Sequence, residues 1–101
     1  MKPAAIKEKL IDVLSKIQVD SGLACPVLTG AMRPIETLPK FDSKLWPVAT
    51  TILATEISEK IPNDVNIFVD KTTKLPRSID EIVAFVCDLL KRQSEKEAAA
   101  A

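Results

Sequence analysis

Apolar residues recur at helical spacing in three parts of the chain. Ile6, Leu10, Val13, Leu14 and Ile17 fall on one face of a 3.6-residue helix. Pro3 is tolerated only in a first turn, and Ser21-Gly22 is a stop signal, so this helix is predicted to end near Asp20. Farther on, Ile79, Ile82, Val83, Val86, Leu89 and Leu90 form a wide stripe. Before it stands Ser78-Ile-Asp-Glu81, the spacing of a capping box in which Ser78 caps and Glu81 reaches back. Lys91 and Arg92 lie at the end that the helix dipole favours for cations. In the middle, Val48, Ile52 and Leu53 give a buried face, with Leu45, Ala49 and Ile57 around it. Pro47 sets the register of that helix. It has no N–H to bond back to residue 43, which costs little only in the first turn. The helix is therefore predicted from Ser43 or Lys44 to Glu59, with Ile61-Pro62 stopping it.

Between the first two helices lie Gly22, Pro26, Gly30, Pro34 and Pro39. No regular element is expected among so many breakers. The same stretch carries Leu23, Val27, Leu28, Ile35, Leu38 and Phe41, so the long loop is expected to pack across the core. A loop of this length is often functional. Asn63-Asp64 is expected to start a short helix with Val65, Ile67 and Phe68. Lys71 to Lys74 reads as an exposed polar loop. No segment alternates with period two. The fold class predicted is all-α: a bundle of three main helices plus one short helix, with a long loop after the first. Residues 1–93 make one domain, and the low-complexity SEKEAAAA, 94–101, is expected to be a disordered tail.

Composition narrows the function. With 47% apolar residues, the 101-residue chain can build one small core. Lys+Arg and Asp+Glu are both 14, so the basic excess of a nucleic-acid binder is missing. The uncharged run Leu45 to Thr55 is too short to span a bilayer. The opening MKPAAIKEKL has charges where a signal peptide needs an apolar block, so a soluble, cytoplasmic monomer is expected, with no membrane insertion. Cys25 and Cys87 form no CxxC pair and there is no histidine, so neither a zinc site nor another metal site is expected. The simplest reading is two reduced thiols, with Cys87 buried on a helix.

The missing histidine also removes any Ser-His or Cys-His nucleophile pair. There is no Walker loop and no GxGxxG, and the carboxylates are scattered. No catalytic residue is assigned, and the chain is not expected to be an enzyme. One short stretch stands out, "FDSKLWP", residues 41–47. Asp42-Ser43 can be a simple helix cap. Alternatively Ser43 is an attachment point: a helix-start serine is exposed, and the N–H groups and dipole there favour a phosphate on its oxygen. Asp42 would suit a metal-dependent transferase presenting the phosphate donor. Such a serine needs no base of its own. Phe41 and Trp46 flank it. They seal the loop onto the core or, in the sharper reading, Trp46 meets an arm or a partner. Thr50, Thr51 and Thr55 read as a solvated face.

The order helix, long loop, Asp-Ser, helix, short helix, helix resembles the acyl carrier protein family over roughly residues 4 to 92. "PIETLPKFDSKLW" is similar to the family's loop ending in Asp-Ser-Leu, with about one extra residue before the Asp. "KLWPVATTILATEISEKIP" keeps the family's spacing from the serine to an Ile-Pro pair, and "SIDEIVAFVCDLL" resembles its last helix. The resemblance implies a 4′-phosphopantetheine arm on Ser43, placed there from coenzyme A by a phosphopantetheinyl transferase, with Asp42 as the serine's motif neighbour. It implies an acyl group held as a thioester and presented to acyl-loading and acyl-using enzymes of a specialised fatty-acid, lipid or polyketide pathway. Three features depart from the family. Lys44 stands where an apolar residue is usual, Pro47 is unusual in this helix, and Lys44 to Thr55 holds no acidic residue. An acidic second helix is what the family offers to basic partner patches, so partners here must recognise something else. The alternative is a carrier-fold protein-interaction module without a prosthetic group. In either reading Lys44 and Trp46 are candidate contacts for a partner or arm, with Phe41 beside them.

Overall fold

Helix α1 is Pro3–Asp20, with its proline at the start and its stop where the breakers place it. The computed structural model describes residues 2–23, 27–38, 40–41, 43–62 and 65–100, so Cys25, Asp42, Asn63 and Asp64 lie outside the described residues. After α1 the chain closes the last carbonyls on itself. The Leu23 N–H donates to the Gln18 carbonyl at 2.8 Å and the Gly22 N–H to the Val19 carbonyl at 3.0 Å. This closure needs a left-handed residue, and Gly22, at φ 69, takes that conformation without a Cβ penalty. Ile6, Leu10, Val13, Leu14 and Ile17 are all buried, and α1 packs against both α3 and α4.

The long loop does pack across the core, with two differences from expectation. Leu38 and Phe41 are buried and Leu28 and Ile35 are half-buried, but Val27 is 86% exposed. The loop also contains a turn of helix, α2, at Pro34–Thr37. Pro34 opens it because a first helical position wastes no donor when it is a proline. Leu38, which precedes Pro39, is extended and ends it.

The middle helix, α3, is Trp46–Glu56, about a turn shorter at its start than predicted. Residues 43–45 form turns, and Leu45, not Ser43, occupies the cap position, with no side-chain cap. The Ala49 N–H donates to the Leu45 carbonyl at 2.9 Å, which sets the register with Pro47 in the first turn. The buried residues are Ala49, Thr50, Leu53 and, just past the helix, Ile57; Ile52 is half-buried and Val48 is 47% exposed. The predicted face is thus rotated: Ala49, Leu53 and Ile57 follow each other at four-residue steps, which leaves Val48 outside. Ser58 then takes φ 56 and closes the helix as Gly22 closes α1, with the Glu59 N–H on the Ala54 carbonyl at 3.0 Å. The chain leaves helix before Ile61-Pro62.

The short helix expected at 63–68 is not formed by its described residues. Pairing with the segment a few residues farther on holds this stretch instead. Val69 and Pro76 make an isolated antiparallel bridge, and the Arg77 N–H donates to the Phe68 carbonyl at 2.8 Å. The Phe68 N–H donates locally to Asn66 Oδ1 at 2.9 Å, a side-chain bond that competes with helix. Ile67 and Phe68 are fully buried all the same. In the loop, which is exposed from Lys71 to Leu75, the Asp70 carboxylate accepts the Thr73 and Thr72 N–H groups, and these bonds lower its pKa.

Helix α4, Ile79–Ala100, begins at the predicted box. The Ser78 N–H donates to Glu81 Oε1 at 2.9 Å and the Glu81 N–H to Ser78 Oγ at 3.2 Å. Two more first-turn donors are taken by the long loop: the Ile79 N–H by the Met32 carbonyl at 2.8 Å and the Asp80 N–H by the Gly30 carbonyl at 2.9 Å. The helix does not stop at Arg92 but runs through 94–100, a sequence rich in strong helix formers. The described residues form a mostly helical bundle of four helices and no strand. Its radius of gyration, 13.6 Å, is near the ~13 Å of a compact 100-residue domain.

Candidate functional site

The start of α3 is where the predicted site residues gather. Ser43 is exposed in the turn before the helix. A cavity of about 200 Å³ adjoins it. Trp46, Pro47, Thr50 and Thr51 of α3 line one side, and Val65 and Asn66 of the segment after α3 line the other.

Phe41 and Trp46 hold this corner together. The Trp46 indole Nε1–H donates to the Phe41 carbonyl at 3.3 Å, tying the loop to the first turn of α3. The Phe41 ring is buried and stands edge-on to Phe68, centroids 5.1 Å apart at 77°. Phe41 therefore supports the site from beneath, while half-buried Trp46 both seals the loop and lines the cavity. Lys44, Pro47 and Val48 are exposed beside it. Asp42 lies outside the described residues. Thr50 is not solvated as predicted: it is buried, and its hydroxyl donates to the Trp46 carbonyl at 2.8 Å. Thr51 and Thr55 are exposed, with the Thr55 hydroxyl on the Thr51 carbonyl at 3.1 Å.

The opposite wall is fixed by Arg77. Its guanidinium donates to the Asn66 carbonyl at 3.0 Å, lies 3.9 Å from the centre of the Phe85 ring, and sits 3.8 Å from the Asp70 carboxylate. A planar, always-charged group suits such a three-sided setting. No sequence motif marks this wall. Thr50 and Thr51 read in the sequence as a solvated face, not as lining, and Val65 and Asn66 are brought up by Arg77 and the Val69–Pro76 bridge, which no local pattern announces.

The corner offers an exposed primary hydroxyl next to a small, partly apolar cavity. The residues fit attachment of a phosphopantetheine arm at Ser43. No acidic residue lies in the first turn of α3, so that turn brings no negative charge toward Ser43. Pro47 counts against it by withdrawing one N–H from that end. Among the described residues no group of three or more Cys, Asp or Glu side chains could hold a metal ion. Cys87 is a half-buried free thiol on α4. No described helix is long and apolar enough to cross a membrane.

No protein-family model, curated protein or solved structure matches this chain.

Proposed function

We propose that the protein acts by docking on other proteins through the start of α3, and that it presents there a group carried on Ser43. The docking part is supported by exposed Pro47 and Val48 beside the Trp46 indole, an apolar and aromatic surface of the kind that anchors interfaces. The carrier part is supported by one observation above all: the exposed Ser43 hydroxyl borders the cavity.

In this reading the Ser43 Oγ forms a bond to the pantetheine-side phosphorus of coenzyme A. Adenosine 3′,5′-bisphosphate leaves, and the serine proton passes to the transferase. Once bound, the arm supplies a thiol that holds an acyl group as a thioester. The chain's own work is to expose Ser43, to seal the core behind it with Phe41 and Trp46, and to offer partners an α3 that carries no charge before Glu56. The second reading keeps the docking and drops the arm; the charged Lys44 and the donor lost at Pro47 favour it.

The test is intact mass after incubation with coenzyme A, magnesium and a broad-specificity transferase, for the wild type and Ser43→Ala. A gain of one phosphopantetheine on the wild type alone supports the carrier. No gain, where a control carrier is modified, leaves the docking module.

A further inference from the structure

We infer that the cleft between the segment around Arg77 and α4 is a second binding site, for a small oxyanion, a phosphate or carboxylate, carried on a compact apolar body. Ser43 does not line it, and the inference does not rest on the carrier reading. The cavity measures about 350 Å³, which gives room for such a molecule. Val65, Val69 and Phe85 supply an apolar wall, and Lys71, Lys74 and Arg77 set their positive charges against the single carboxylate of Asp70. In a chain of zero net charge this is a local cationic excess.

Arg77 carries the argument. The residue is only 9% exposed, yet it lines the cavity. One face of its guanidinium rests on the Phe85 ring, and one N–H goes to the Asn66 carbonyl. The Asp70 carboxylate, 3.8 Å away, is beyond hydrogen-bond reach and takes the Thr72 and Thr73 N–H groups. A guanidinium offers several N–H donors in a planar fork, so this one keeps an edge that phosphate and carboxylate oxygens match. A buried cation so thinly paired costs stability that a bound anion returns. The two lysines are placed by a tight turn. The Asp70 N–H donates to the Leu75 carbonyl and the Lys74 N–H to the Asp70 carbonyl, each at 2.9 Å, with Lys74 at φ 63. Glycine takes that conformation at less cost, so the turn alone does not account for a lysine there. Among the described residues neither Lys71 nor Lys74 forms an ion pair. Val65 and Asn66 also line the cavity beside Ser43, so an occupant here steadies a wall that the two cavities share.

The test is an NMR titration of the full chain with phenyl phosphate, benzoate, inorganic phosphate and benzyl alcohol. Phenyl phosphate or benzoate is expected to give saturable shifts of the Asn66, Val69 and Phe85 amides and of the Arg77 Nε–H; the tighter of the two tells phosphate from carboxylate. Inorganic phosphate should bind several-fold more weakly, and benzyl alcohol should not saturate. Lys74→Gly, which relaxes the turn while removing a cation, and Lys71→Gln, a change in the exposed loop, should each weaken binding several-fold. Tm without ligand should stay at or above the wild-type value in Lys74→Gly and close to it in Lys71→Gln. Ser43→Ala should bind as the wild type does, which keeps this site separate from the carrier reading. No saturation by either aromatic anion at millimolar concentration would overturn the proposal, as would unchanged binding in both lysine variants. Benzyl alcohol binding as tightly as the anions would overturn the charge argument, and inorganic phosphate doing so would overturn the apolar one.

Discussion

Helices α3 and α4 both follow a serine, and their starts are built in opposite ways. At α4, Ser78 and Glu81 cap each other, the Met32 and Gly30 carbonyls take the next two N–H groups, and Arg33 pairs with Glu81 at 3.3 Å. Arg33 also donates to the Pro76 carbonyl, so the long loop and the α4 start are one unit. At α3, the cap position is Leu45 with no side-chain cap, the first turn contains Pro47 and no acid, and Ser43 is exposed on the turn before. A helix start with its donors satisfied is a structural joint. One with a free-standing hydroxyl beside a cavity is available for chemistry. The contrast separates a serine that caps a helix from a serine left exposed beside a cavity.

The largest expected effect comes from the residue that joins the two ends. Phe68 accepts the Arg77 N–H on its carbonyl near α4 and meets the Phe41 ring below Ser43. Phe68→Ala should cost ~3–5 kcal/mol in urea unfolding. A loss below about 1 kcal/mol would show that the site is not braced in this way. Next, Ser78→Ala should cost ~0.5–2 kcal/mol. That is a fall in Tm of several degrees in a domain of this size.

The third effect depends on pH. The Ser78 N–H bond, first, then the Ser78 hydroxyl and the Arg33 and Arg77 charges hold the Glu81 carboxyl below its ordinary value of 4.5. A carboxyl lowered on folding stabilises above its unfolded value, and the gain disappears as pH falls through the folded value. The stability difference between wild type and Glu81→Gln should therefore be full at neutral pH and close as pH drops below about 4.5. A gap that stays constant down to pH 3 would contradict the box as an electrostatic contributor. The smallest effect is on stability at the other serine. Ser43→Ala should stay within ~0.5 kcal/mol of wild type, as a surface change without a cap to lose. A loss as large as that of Ser78→Ala would mean that Ser43 is a cap after all, and the contrast would fall.

The parts of this fold that were legible in the sequence are the locally determined ones. Pro3, the apolar spacing and Gly22 mark α1, and Ser78 with Glu81 marks the start of α4. The α3 start moved because Pro47 allows more than one first-turn position, and burial of Ala49 and Leu53 chose the later one. The helix expected at 63–68 is replaced, in its described residues, by bonds from Arg77 and by the bridge to Pro76, both from farther along the chain. The same holds for the candidate site. Ser43 and Trp46 stand out in the sequence, while the wall of Val65 and Asn66 depends on contacts that only folding reveals. Asp42, the other half of the motif, lies outside the described residues.

The proposed role of Ser43 is tested most directly by the mass of its peptide from protein isolated from its own cells. The peptide containing Ser43 should carry one phosphopantetheine and the peptide containing Ser78 should carry nothing. An unmodified Ser43 peptide, with the intact protein at its sequence mass, would contradict the carrier and leave a helical docking module.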